Sequence, residues 1–239
     1  SDLDTPALSR VVNYMFQSCS NLKGNSSFNN WNLSEVTQMV GMFMYAANFN
    51  QDLNTWDVSK ATNMTNLFAN ATVFNGNISA WNVSKVTNMS SVFSGAASFN
   101  RNLNNWDVSN VTAMANMFKG ASAFNGNIIS WNVSKVTKMS SMFADAILFN
   151  QDIGDWDVSN VTEANNMFLR ASGFNQSLGN WILNKAVSAV GFLSKSGMSK
   201  DSYEATLSGW AVNLPVADST TDNAPRTIGV QDLIYVTAS

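Results

Sequence analysis

Residues 53–75, LNTWDVSKATNMTNLFANATVFN, decide the fold, because the same pattern returns at one fixed interval on both sides of them. Trp31, Trp56, Trp81, Trp106, Trp131, Trp156 and Trp181 share one frame, which accounts for seven of the eight tryptophans. In that frame run Met39, Met64, Met89, Met114 and Met139, then Phe43, Phe68, Phe93, Phe118, Phe143 and Phe168. Ala46 to Ala171 and Phe49 to Phe174 form two further columns with the same spacing. A fixed period of this length is the signature of a repeat architecture, in which each unit covers the apolar face of its neighbour.

Within a unit the apolar period changes. Trp56 and Val58 flank Asp57 with period 2, which predicts a short strand with Trp and Val inward and Asp outward. Met64, Leu67, Phe68 and Ala71 follow at i, i+3, i+4 and i+7, which predicts about two helical turns, with Thr62 placed to cap them. Phe74-Asn75 then turns the chain back. The expected fold is an α/β solenoid, leucine-rich-repeat-like and right-handed, of 25-residue coils each with a short strand and a short helix. The expected division is an N-terminal cap or degenerate repeat over 1–24, a seven-coil solenoid over 25–195 and a C-terminal cap over 196–239. In the last of these, Ser199 to Trp210 reads as a capped amphipathic helix.

Composition narrows the function. Only 12% of the 239 residues are charged, about half the usual share, and the polarity comes from 34 Asn with many Ser and Thr. A net charge of −3 offers no basic footprint for a phosphate backbone, so nucleic acid is not an expected partner. The absence of His removes imidazole-based triads and the commonest metal ligand, and a lone Cys19, read as a buried thiol, removes disulfides and cysteine zinc sites. No apolar run reaches the roughly 20 residues of a membrane helix, so no membrane insertion is expected in this segment. No catalytic residue, metal or cofactor is expected, and the chain is read as a monomeric non-enzyme.

The unit W-[DN]-V-S-x-V-T-x-M-x-x-M-F-x-x-A-x-x-F-N resembles the bacterial surface protein repeat found in BspA-family leucine-rich-repeat surface proteins and in lipoproteins of mycoplasmas, lactobacilli and listeriae. The resemblance covers roughly residues 25–195, and the tail segment Tyr203 to Trp210 is similar to one that closes such arrays. It implies export, display at the cell surface, and adhesion or recognition of an extracellular protein or cell-surface ligand. It carries over no catalytic residues.

The candidate ligand-binding ladder is the outward strand position: Asn32, Asp57, Asn82, Asp107, Asn132 and Asp157. Alternation of Asn with Asp doubles the carboxylate spacing to about 10 Å, near a Debye length at 0.1 M salt, so charge management is the competing explanation. Other columns have structural readings. Thr37, Thr62, Thr87, Thr112, Thr137 and Thr162 suit helix capping, although a regular Thr array is also what an ice-binding face would present. Asn50, Asn75, Asn100, Asn125, Asn150 and Asn175 suit bonds to the backbone of the adjacent coil. Tyr45, Arg101, Arg170 and Phe192 break the pattern and are candidate local anchors. The alternatives to adhesion are a carbohydrate- or ice-binding solenoid, or a passive spacer.

Overall fold

A computed structural model describes residues 8–213. The remaining two ends, including the expected cap residues beyond 213, lie outside the described residues. Residues one period apart in sequence lie against one another. Among the described residues seven parallel bridges join eight levels, at Val11, Gln38, Asn63, Asn88, Ala113, Lys138, Glu163 and Ser188. From Gln38 onward the bridges advance by the same interval as the tryptophans, and the first step, from Val11 to Gln38, is longer by two.

The helix expected in each unit is absent. Among the described residues only a 3-10 helix at Ser26–Asn30 and the helix α1 at Lys200–Asn213 are regular. Residues 64–71 instead form a chain of turns whose N–H groups alternate in direction. Leu67, Ala69 and Ala71 donate three residues back, to the carbonyls of Met64, Asn66 and Phe68, at 3.0–3.1 Å. Met64, Asn66, Phe68 and Asn70 donate to Asn88, Ser90, Val92 and Ser94 of the next unit, at 2.7–3.1 Å. The reason is backbone conformation. Two positions in each unit hold φ between 55° and 69°, at Gly41, Asn66, Ser91, Asn116, Ser141, Asn166 and Gly191 in one column and Tyr45, Asn70, Gly95, Gly120, Asp145, Arg170 and Lys195 in the other. Left-handed residues rotate alternate peptides out of the helical direction, and Asn, Gly and Asp adopt that conformation at least cost. A helix would satisfy its N–H groups within the unit, whereas this arrangement sends half of them into the neighbour.

The strand expected at Trp56–Val58 is likewise replaced. The bridges fall seven residues later, at Asn63 and its equivalents, one residue per level. Thr62 is therefore not a helix cap. Its N–H and its hydroxyl both donate to the carbonyl of Thr37, at 2.9 and 3.1 Å, and the Thr column repeats this pair at each level.

The same side chains that define the repeat fill the core. Trp56 to Trp181 are 2–3% exposed, and the Met and Phe columns from unit to unit are fully buried. The rings stack in three files: Phe68 on Phe93 at 5.9 Å, Phe74 on Phe99 at 5.9 Å and Trp81 on Trp106 at 6.2 Å, with planes within 6°. Buried indoles need an acceptor. Trp81, Trp106, Trp131 and Trp181 each donate Nε1–H to a carbonyl of the preceding unit, at 2.8–3.1 Å. The Nε1 of Trp156 has no partner.

At the C-terminal end, α1 starts after Ser199, whose hydroxyl accepts from the N–H of Ser202. It lies on the last unit through Trp210, which donates to the carbonyl of Leu178, and through the fully buried Thr206, which accepts from the N–H of Leu178. At the opposite end Cys19 is exposed rather than buried, because no unit among the described residues lies over the first level.

Candidate polar face

The six ladder residues stand at one register in six successive units, and each closes the same local turn. The Oδ1 of Asn32, Asp57, Asn82, Asp107, Asn132 and Asp157 accepts from the N–H of the Ser two residues on, at 3.0–3.1 Å. This Asx turn explains why only Asn or Asp fits: both offer the same oxygen at the same reach. The five residues from Asp57 to Asp157 are exposed. Hydrogen bonds from the side chain and N–H of Ser59 hold the Asp57 carboxyl below its ordinary range, and Ser109 does the same for Asp107.

In the Asn ladder the side-chain oxygens are committed to the fold. The N–H of Asn75 donates to Oδ1 of Asn50, that of Asn100 to Asn75, and so on to Ser199 on Asn175, at 2.7–3.0 Å. A second feature alternates from unit to unit as far as residue 151, and Gln176, which donates to the Asn150 carbonyl, ends the alternation. Gln51, Arg101 and Gln151 reach back to the carbonyls of Lys23, Asn75 and Asn125, while Gly76 and Gly126 occupy the same position in the units between.

The structure also forms a polar hollow of about 350 Å³ lined by Ser26, Asn29, Asn50, Gln51, Asp52, Asn75 and Arg101. Sequence reading picked out only Arg101 from this set as a departure from pattern. The other residues sit in or beside regular columns, and the only signal was the longer first interval, which disturbs the register on that side. Of the other pattern-breaking residues, Tyr45 is 48% exposed, Arg170 is held by a two-point bond to the carboxylate of Asp145, and Phe192 is buried against Trp181 and Trp210. Phe192 is thus a core residue rather than an anchor. No group of three or more metal-ligating side chains occurs among the described residues.

The family described as Mycoplasma protein of unknown function, DUF285, matches twice in succession, at residues 2–106 and 98–210. The chain belongs to this family. Two successive matches on one chain agree with the internal repetition, and the DUF285 description itself assigns no activity. No curated protein matches the chain. Among the described residues no helix is long and apolar enough to cross a membrane.

Proposed function

We propose that the chain is a leucine-rich-repeat-like solenoid of the BspA type that serves, outside the cell or on its surface, as a non-enzymatic module for adhesion or recognition. The observation that supports this most directly is the ladder from Asn32 to Asp157, which repeats one polar turn at one register in six successive units. A surface of that kind suits many weak polar contacts, where affinity grows with the number of copies engaged together. Its partner in this reading is an extracellular protein or a cell-surface ligand.

The rival readings fit the geometry less well. Ice binding calls for free hydroxyls, yet the Thr hydroxyls donate to carbonyls of the preceding unit. Sugar binding favours exposed aromatic rings, and the repeat tryptophans from Trp56 to Trp181 are buried.

The test immobilises the chain against extracellular-matrix proteins, host-cell extracts and a glycan panel, beside the triple variant Asp57→Asn, Asp107→Asn, Asp157→Asn. Asn keeps the turn, as it does at Asn82 and Asn132, so the variant removes charge without removing the fold. The expected result is binding that the variant weakens at least tenfold. A folded chain that binds nothing on any panel overturns the adhesion reading in favour of a spacer.

A further inference from the structure

The polar hollow of about 350 Å³ has the size of a small-molecule site, at the lower end of the usual range. Its walls come from successive units, beginning with the irregular Ser26–Asn30 segment, and every lining residue is polar. Two of them carry charge, Asp52 and Arg101, and each makes a structural bond that a neutral residue makes equally well elsewhere in its column. Arg101 donates through Nε to the Asn75 carbonyl at 2.7 Å, and Gln151, two units on, makes the same bond to the Asn125 carbonyl with its amide at 2.9 Å. Asp52 accepts through Oδ1 from the N–H of Asn77 at 2.6 Å, and Asn102 does the same for Asn127 at 2.9 Å. The fold therefore uses one atom of each charged group. The two terminal amino groups of Arg101 and the Oδ2 of Asp52 have no partner among the described residues, and neither residue joins an ion pair there.

We propose that this hollow binds a free α-amino acid with a small or polar side chain, its carboxylate on the Arg101 guanidinium and its ammonium on the Asp52 carboxylate. The two charges select the class. A lone anion would gain Arg101 but lie beside Asp52, and a lone cation would meet the reverse, whereas a zwitterion finds an opposite charge for each of its own. Arginine suits the carboxylate because its planar fork offers two parallel N–H groups. Neutral groups complete the set. Asn50 and Asn75 spend their Oδ1 atoms on the backbone of the next unit and keep Nδ2 to donate, while Gln51 spends Nε2 on the Lys23 carbonyl and keeps Oε1 to accept. The wall has no apolar side chain, so a large hydrophobic substituent gains no cover there.

Two units along, the positions of Asp52 and Arg101 hold Asn102 and Gln151, which keep the structural bonds and lack the charges. The charged pair is thus an addition to the repeat rather than a requirement of it. None of the residues that line the hollow belongs to the ladder from Asn32 to Asp157, so the site and its test stand apart from the adhesion reading.

Isothermal titration calorimetry of the full chain with glycine, L-serine and L-asparagine tests the assignment. The expected result is a Kd at or below about 1 mM for at least one of them. Its α-amide, which lacks the carboxylate, and its N-acetyl derivative, which lacks the ammonium, should each bind at least about tenfold more weakly. The variants Arg101→Gln and Asp52→Asn should each weaken the amino acid by a similar factor. Both reproduce the residue that another unit carries at the same position, so the melting curve should stay unchanged. No heat from any of the three amino acids at about 10 mM overturns the proposal. So does binding that either variant keeps in full. An N-acetyl derivative that binds as tightly as the free amino acid makes the hollow an anion site and also overturns it.

Discussion

A single indole separates two chemically identical positions. Trp131 and Trp156 are equally buried, at 3% exposure, but Trp131 donates to the Leu103 carbonyl and Trp156 donates to nothing. Trp131→Phe therefore loses packing and a hydrogen bond, and Trp156→Phe loses packing while relieving an unpaired buried donor. The second substitution should cost about 1–2 kcal/mol less than the first, as read by urea denaturation. Glycines offer a similar contrast. A Cβ on Gly126 would stand 2.1 Å from the Arg101 carbonyl oxygen, whereas at Gly120 the nearest atom is 3.7 Å away and the cost is that of φ +68° alone. Gly126→Ala should lose about 3 kcal/mol or more, against about 1–2 kcal/mol for Gly120→Ala. Comparison of their melting temperatures decides it. Much of the core at this scale was readable in advance, because burial of the Trp, Met and Phe columns follows from period alone. The alternation of Gly76 and Gly126 with Gln51 and Arg101 was visible in the sequence too, but nothing in it says that a backbone carbonyl crowds the glycine Cβ positions.

The element that sequence reading misassigned is the turn run. Met64, Leu67, Phe68 and Ala71 have helical spacing because the i to i+3 turns bring the same positions inward that a helix would. The counter-signal lay in the polar positions between them. Asn66, Ser91, Asn116 and Ser141 are poor helix residues, and Asn in particular accepts the left-handed conformation found here. Asn116→Val places a β-branched residue at φ 58° and should cost about 2 kcal/mol or more, while Asn116→Gly should be close to neutral. Equilibrium unfolding of the pair distinguishes a left-handed turn from a helix, in which Gly would be the worse choice. Two of the Asx turns are closed by carboxylates held below their ordinary range. Because Asp57 and Asp107 have folded pKa values below their unfolded ones, their contribution is present above about pH 4 and is lost as pH falls through the lower folded value. The double variant Asp57→Asn, Asp107→Asn should therefore show a shallower loss of stability on acidification than the unaltered chain, measured by thermal unfolding at pH 7 and at pH 3. The candidate face itself was legible as a column of Asn and Asp. That each of its oxygens closes a turn to Ser was not, because the strand expectation at Trp56–Val58 placed those side chains freely in solvent.

For the whole molecule, neighbouring units supply one another's core contacts, and the interval between them is constant from Gln38 to Ser188. Deletion of residues 101–125 removes one period and brings Asn100 to Gly126 in the order that the next repeat would supply. The shortened chain should fold cooperatively, whereas deletion of 101–124 shifts every later column out of register and should not. Circular dichroism melts of the two deletions check this. The period was the most legible property of the sequence; the ends were the least, since the longer first interval and the placement of α1 depend on packing that no repeat pattern encodes. The four N–H columns that run from Met64, Asn66, Phe68 and Asn70 all point toward the C-terminal end. With the forward N–H groups of Leu53 and Leu103 they outnumber, over the array as a whole, the N–H groups that point back, which are those of the Thr column, the Asn ladder, Asn77, Ala80, Asn127, Ser130 and scattered positions such as Ser98 and Ala123. With roughly one or two peptides per pair of units left uncompensated, at about 3.5 D each, every added pair contributes a few debye. The backbone is a permanent electric dipole that grows with the number of units, with its positive pole at the C-terminal end, the reverse of an α-helix.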